Sequence, residues 1–574
     1  MRDETRLGLL ALVAAGLLGL LGDLLLGELP WGLNALLWIV ALVSGVALLL
    51  WQARMPLLGE SRWLAIPALL FAAAIAVRDS QTLLVVNVLA VLLTLALAAH
   101  RAAGGWPVIG GLPQYLGAAI SAGFHACGGA IVLACYDVRW KEIPRTGWSA
   151  VVLAVLRGML IAIPLLVVFG GLFMAADAVF SGLIRNAFAI DVRQAFSHVF
   201  WTGFWAWLTA GFLRQALFCT IAGKMLAPQS PETALTPQPP RAVPAAGEGE
   251  LVDSSPDLPL SAPETGLGGD VLPPSKPKLP GGRIGLLGLV ELGIVLGLLD
   301  LLFLAFVIVQ FRYLFGGAEL VQVSESLTYA EYARRGFFEL VAVAALLLPI
   351  VLFLDWLGRL TTPREMLVYR ILAGLLVVLL FVVIVSALQR MRLYTEEYGL
   401  TELRLYTTAF MLWITVCAGW YLATVLRNRR ERFLFGGLVA GLLVAATLDM
   451  MNPDDLIVRT NAARHDAPTR FDGAYTMLLS SDASPAVIEA LPYIPEYQRV
   501  MVAQRLIRRW ESGQKEDWRT WNYGRWRAYV ATAEHEAQLR ELAQRPNSQP
   551  SVTPRSRSSS RDDVYGAPGP DDRP

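Results

Sequence analysis

Two opposite charges interrupt long apolar runs: Arg214 within FWAWLTAGFLRQALF and Asp300 within GIVLGLLDLLFLAF. A charge near the middle of a bilayer is costly, so it faces a bundle interior and seeks a partner. Two chemistries suit this candidate intramembrane pair. One is an ion or proton relay; the other is a buried salt bridge that fixes packing between two parts of the bundle. Glu291 lies nine residues before Asp300 in the same apolar run. At about 100° per residue it falls on nearly the opposite face, so the two carboxylates cannot form a dyad. Arg157 and Asp177 stand near segment ends and read as snorkelling to the headgroups.

A second group is extramembranous. SESLTYAEYARRGFFEL carries Glu331, Arg334, Arg335 and Glu339. Thr328 followed by Glu331 fits a capping box that starts a helix at Tyr329, and Glu331, Arg335 and Glu339 then share one face. RMRLYTEEYGLTELRLY adds Arg390, Arg392, Glu396, Glu397 and Arg404, with Gly399 as a breaker and Thr401 as the next cap. Both stretches are expected at one membrane face. There they form either a binding site for a polar ligand or partner, or a solvated ion-pair network closing the bundle. The run DWRTWNYGRWRAYV places Trp518, Trp521, Trp526 and Tyr529 on a broad helical face, which suits core packing or docking at the headgroup zone. Single-stranded nucleic acid is bound by the same residue types, but a net charge of +1 argues against a nucleic-acid partner.

No catalytic signature is present. GxxxxGK[ST], HExxH and GxSxG are all missing, which removes the P-loop, zinc-protease and serine-hydrolase readings. Cys127, Cys135, Cys219 and Cys417 sit in apolar surroundings without a CxxC pair, and the five histidines are scattered. Neither a metal site, a disulfide framework nor a cofactor is expected. The leading reading is therefore non-enzymatic, and a membrane enzyme acting on lipid or polyprenyl substrates ranks third among the alternatives.

The elements that must hold these residues are membrane helices. The chain of 574 residues is 55% hydrophobic and 17% charged, a composition that water cannot accommodate. By the requirement of roughly 20 apolar residues per span, about eleven segments qualify. They lie near 7–27, 31–51, 63–77, 82–99, 150–180, 199–223, 284–311, 336–357, 367–389, 402–426 and 433–450. Segment 113–136 contains glycines and a histidine and is expected to lie in the interface or re-enter. The first apolar run is too long for the apolar core of a signal peptide and is not followed by a small-x-small cleavage site before Trp31, so it reads as an uncleaved span.

Alternate loops are basic: Arg54 and Arg62; Arg101, Arg139, Lys141 and Arg145; Arg359 and Arg364; Arg427, Arg429, Arg430 and Arg432. Lys and Arg resist translocation, which predicts an inside N-terminus and an outside C-terminus.

Five regions follow. Residues 1–226 form a first membrane half, and 227–282 a Pro-rich linker of a composition that cannot bury a core. Residues 283–450 form the second membrane half. Residues 451–545 make a small helical domain opened by Asn452-Pro453, with Ser484 as an N-cap before Pro485 at the first helical position and a long helix from Asp517. Residues 546–574 are a disordered tail by composition.

YAEYARRGFFEL, YGLTELRLYTTAFMLWI and NPDDLIVRTNAAR resemble a family of bacterial multi-pass inner-membrane proteins catalogued only as a domain of unknown function. The resemblance covers the second membrane half and the start of the C-terminal domain. It implies a polytopic membrane protein, transfers no catalytic residue, and draws attention to Glu331, Arg334, Arg335, Glu397 and Arg404 as a shared feature.

The expectation is therefore an all-α polytopic bundle in the bacterial cytoplasmic membrane. Its partners are the lipid bilayer and other envelope proteins, and it couples the bundle to an outward helical domain through ligand or partner binding. The alternative is an ion- or proton-coupled transporter of a small solute that uses Arg214 and Asp300.

Overall fold

A computed structural model describes residues 3–54, 63–102, 112–138, 192–226, 287–315, 337–427, 429–464, 471–514 and 517–545. Among these residues no strand occurs and the regular elements are helices. The first half supplies α1 (Asp3–Leu26), α2 (Leu33–Gln52), α3 (Ala65–Val77), α4 (Gln81–Ala102), α5 (Leu112–Val132) and α6 (Val192–Leu226). The second supplies α7 (Leu289–Phe315), α8 (Phe337–Leu357), α9 (Pro363–Tyr398), α10 (Glu402–Thr424) and α11 (Phe433–Met451). Six further helices follow: α12 (Pro453–Ala462), α13 (Gly473–Thr476), α14 (Ser484–Ala490), α15 (Glu496–Gly513), α16 (Tyr523–Glu534) and α17 (Glu536–Gln544).

Eight of the described helices are long and apolar enough to cross a membrane: α1, α2, α4, α7, α8, α9, α10 and α11. Large apolar side chains cover their outer surface, with Leu17, Leu298 and Leu443 each more than 60% exposed. Water would penalise such a surface, whereas lipid is its natural solvent. The chain is a multi-pass membrane protein. Of the other expected spans, 150–180 lies outside the described residues. Helix α3 has 13 residues, only about 20 Å of helix against a hydrocarbon core of about 30 Å. Helix α6 forms over the expected 199–223, but Trp201, Trp205, Trp207, Arg214 and Gln215 dilute its apolar character, and it is not among the eight. Segment 113–136 is a continuous helix, α5, ended by a π-turn over Leu133–Asp137.

Helix direction sorts the turns between two ends. The carbonyl of Trp521 accepts the N–H of Leu33 at 2.8 Å, which puts the start of α2 against the C-terminal helices. Asn461 exchanges both amide groups with the backbone of Leu400, at 2.6 and 2.8 Å, so the α9–α10 turn is at that same end. The far end of each helix then carries Arg54, Arg359, Arg364, Arg427, Arg429, Arg430 and Arg432. Positive φ at Gly399 and Asn452 lets the chain turn sharply after α9 and α11, and Pro453 enters α12 in its first turn, where a missing N–H costs nothing.

Four apolar clusters hold the elements. The largest joins α7 to α10 around Leu296, Tyr369, Leu376, Leu380, Ile384 and Tyr421. One gathers α1, α2, α5 and α6. Another packs α2, α3 and α4 against Ala445 of α11, which ties the two halves together. The last is the core of α12 to α17, including Ile457, Leu479, Val502 and Leu539.

Candidate functional site

The intramembrane pair expected from the sequence does not form. Arg214 donates from Nε to Oδ2 of Asp137 at 2.6 Å, because the π-turn after α5 brings that carboxylate against α6. Asp300 sits elsewhere, on the α7 stripe that also carries Leu292, Leu296 and Phe303 and faces the core shared with α9. It is 6% exposed, and among the described residues neither carboxylate oxygen has a hydrogen-bond partner.

The outer cluster is described only in part. Glu331, Arg334 and Arg335 lie outside the described residues. Glu339 is exposed in the first turn of α8, Arg390 is half-buried and Glu397 is exposed. Arg404 lies 4.0 Å over the ring of Tyr394 and 5.9 Å from that of Tyr398, and it donates to the carbonyl of Gly399. It therefore closes the α9–α10 turn, a contact that Gly399 as breaker makes possible. Thr401 occupies the cap position without a side-chain bond; the N–H of Glu402 goes to the hydroxyl of Tyr475 at 2.8 Å. Arg392 and Glu396 form an exposed pair at 2.8 Å.

The densest polar arrangement is one the sequence did not single out. It forms where the short turn between α3 and α4, residues 78–80, enters the C-terminal helices. The N–H of Asp79 donates to Oδ2 of Asp482 at 2.7 Å, and the N–H of Ser481 donates to Oδ2 of Asp79 at 3.2 Å. Arg525 donates to Oδ1 of Asp79 at 2.6 Å. Because the Asp79 N–H is committed to Asp482, it cannot return to Ile75 and prolong α3. Asn522 supplies the missing donor: its Nδ2 reaches the carbonyls of Ile75 at 2.9 Å and Arg78 at 3.0 Å. The other half of the same amide caps α16 by accepting the N–H of Arg525.

Arg78 extends this lock to the second half. It donates from Nε to the carbonyl of Asp449 at 2.6 Å and from Nη2 to that of Met450 at 3.3 Å, at the last turn of α11. Asn87 of α4 donates to Oδ1 of Asp449 at 3.0 Å. Asp454 accepts from the Ser480 N–H at 3.1 Å and from its hydroxyl. Asp454 and Asp482 each bury a second oxygen without a partner. Burial pushes the Asp482 carboxyl up to about 7 and raises that of Asp454. Burial also lowers Arg509, which donates to the carbonyl of Leu479 at 2.9 Å. Among the described residues no group of three or more His, Cys, Asp or Glu side chains could hold a metal ion.

A cleft of about 310 Å³ opens beside the lock and shares Ser481, Asn522 and Arg525 with it. Trp518, Trp521, Trp526 and Tyr529 line it together with Arg509, Trp510 and Ser484. The expected aromatic grouping is thus present, on a different scaffold. Asp517 caps a 3-10 turn, Trp518–Thr520, rather than opening a long helix, and α16 and α17 are separated at His535. Ser484 is the first residue of α14, not its cap, and its hydroxyl is buried without a partner. Gly32 permits the close approach that seats this segment on the bundle, since a Cβ there would collide with the carbonyls of Thr520 and Trp521.

The lock was not legible because its members are local residues of three separate regions. Arg78 and Asp79 read as a balanced loop pair, and nothing in spacing brings position 79 to positions 482 and 525. The one available signal was the presence of two charges in a turn only three residues long between apolar helices.

A family model described as a domain of unknown function (DUF4153) matches residues 65–490. No curated protein and no solved structure matches the chain.

Proposed function

We propose that this chain, which belongs to the family defined by that domain of unknown function (DUF4153), is a non-enzymatic ligand-binding protein of the bacterial cytoplasmic membrane. Its binding site is the aromatic cleft, and the lock around Asp79 relays occupancy to the bundle. The observation that supports this reading is the sharing of Ser481, Asn522 and Arg525 between cleft and lock. A ligand that moves these side chains alters the contacts that hold α3, α4 and α11. The cleft also has the size and mixed lining of a small-molecule site, which begins at about 300 Å³.

The arginine-rich far end favours a cytoplasmic N-terminus, with residues 451–545 and the cleft outside. In this arrangement residues 227–282 are a cytoplasmic linker between the membrane halves. Alkaline phosphatase fused after Gln544 should be active and after Gly247 inactive; the reverse pattern overturns the orientation. For the binding role, full-length protein is purified in mild detergent and its bound small molecules are compared by mass spectrometry with those of Trp526→Ala and Ser484→Ala. A species depleted in both variants supports the cleft. An unchanged complement at equal protein yield removes it.

A second reading rests on Asp300, whose buried carboxylate has no hydrogen-bond partner among the described residues. Such a group in a span suits a proton site in an ion-coupled transporter. Arg214, held by Asp137, is not part of that site. Proton uptake by reconstituted vesicles that disappears in Asp300→Asn would favour it.

A further inference from the structure

The cleft lies at the level where spans end. Trp521 bonds to Leu33 at the first residue of α2, and Arg519 donates to the carbonyl of Leu24 at 2.6 Å, in the last turn of α1. Tryptophan at that level meets the headgroup layer of a bilayer. Trp518 is 66% exposed, and Trp521 and Trp526 are also exposed, so the mouth is apolar and open.

The deeper lining is rich in donors. Ser484 is 1% exposed and its hydroxyl is unpartnered. Trp510 stacks on Tyr529 with ring centroids 5.8 Å apart, and its buried indole N–H is likewise unpartnered. Arg509 donates to the Leu479 carbonyl, with Asp79 and Asp454 as acidic neighbours. The acid of the lining, Asp517, is already held by Arg519 at 2.6 Å, which keeps its carboxyl below the usual range. Unspent donors and a guanidinium in a sheltered cleft match an anion with several acceptor oxygens, and an aromatic mouth at headgroup level matches an attached apolar body.

We infer that the cleft takes the phosphate-bearing headgroup of a membrane lipid. Arg509, Ser484 and Trp510 donate to the phosphate oxygens, and Trp518, Trp521 and Trp526 border the glycerol and upper acyl region. This inference rests on the cleft being the binding site and adds the class of its ligand.

The test uses the full chain in detergent, titrated by native mass spectrometry with dioleoyl phosphatidylglycerol, dioleoylglycerol and free glycerol 3-phosphate. The phospholipid should bind at least tenfold more tightly than dioleoylglycerol. Ser484→Ala and Trp510→Phe, small changes that keep the fold, should each weaken it about tenfold by removing a bond to a charged acceptor. Arg509→Lys should also weaken it, because an ammonium lacks the planar fork of donors. Equal binding of dioleoylglycerol overturns the phosphate assignment. Glycerol 3-phosphate binding as tightly as the phospholipid overturns the lipid source in favour of a soluble phosphate ester. Phospholipid binding that none of the three substitutions alters overturns the site. The broader role fails separately: it falls when the cleft variants lose no co-purified molecule of any kind, whereas loss of a non-phosphate species removes only the ligand class.

Discussion

Asn522 is where one side chain serves both the C-terminal helices and the bundle, and its replacement can be worked through bond by bond. It is 1% exposed. Its carbonyl oxygen caps α16, and its Nδ2 satisfies the carbonyl of Arg78 and that of Ile75, which is left open once the Asp79 N–H is given to Asp482. Losing an N-cap costs about 1 kcal/mol. Leaving a buried carbonyl without its donor costs about 1–3 kcal/mol each. Asn522→Ala should therefore destabilise the protein by about 3–7 kcal/mol. Asn522→Ser keeps a capping oxygen but not the two donors, so it should recover only the cap, about 1 kcal/mol. The assay is equilibrium unfolding of the full chain in mixed detergent and SDS micelles, with melting temperature as a check. If Asn522→Ser matches the wild type, the Ile75 and Arg78 carbonyls do not depend on this amide and the reasoning is wrong.

Gly524 carries no Cβ where one would collide with Oδ1 of Asp482. Gly524→Ala should lose about 1–3 kcal/mol to overpacking, more than offsetting a helix-propensity gain of about 1 kcal/mol; when it is added to Asp482→Ala the sign should reverse, and equal effects in both backgrounds would show that no such contact exists. The Asp482 carboxyl is raised to about 7 in the folded protein from an ordinary 3.8, by burial first and then by Asp79 and Asp454. The folded state then binds the extra proton, so this contribution is full below about pH 4 and is lost as pH rises to about 7, by an amount of a few kcal/mol. Unfolding measured from pH 4 to 8 should show that decline in the wild type and a smaller one in Asp482→Asn, and parallel profiles would contradict it. At Asp300 the buried oxygens lack partners, so Asp300→Val should stabilise the bundle by about 1–3 kcal/mol in the same assay; a loss would reveal a partner that the carboxylate needs.

The membrane character and the all-helical fold were legible because spans are long and apolar, and because backbone groups in lipid must be satisfied within each helix. Local punctuation was legible as well: Gly399 breaks α9, and Asn452-Pro453 makes the corner after α11. Pairing was not. Arg214 and Asp300 looked complementary because both are charges in apolar runs, yet helix order and the π-turn decide that Asp137 reaches Arg214. The lock was hidden for the same reason: Asp79, Asp482, Asn522 and Arg525 are each unremarkable in their own segment and acquire meaning only where the turn at residues 78–80 inserts among the C-terminal helices. The tryptophans were visible as a cluster, but the donors beneath them, Ser484 and Trp510, become distinctive only through burial without partners.

The central claim, that the C-terminal helices and the bundle form one locked unit around Asp79, is tested most directly at the Asp79 amide. Its hydrogen is donated to Oδ2 of Asp482 at 2.7 Å inside the junction. Hydrogen exchange of the full chain in detergent, followed on peptides spanning residues 75–82, should show slow exchange at Asp79 that becomes fast in Asp482→Ala while the exchange of α9 is unchanged. Rapid exchange of that amide in the wild-type protein would contradict the account.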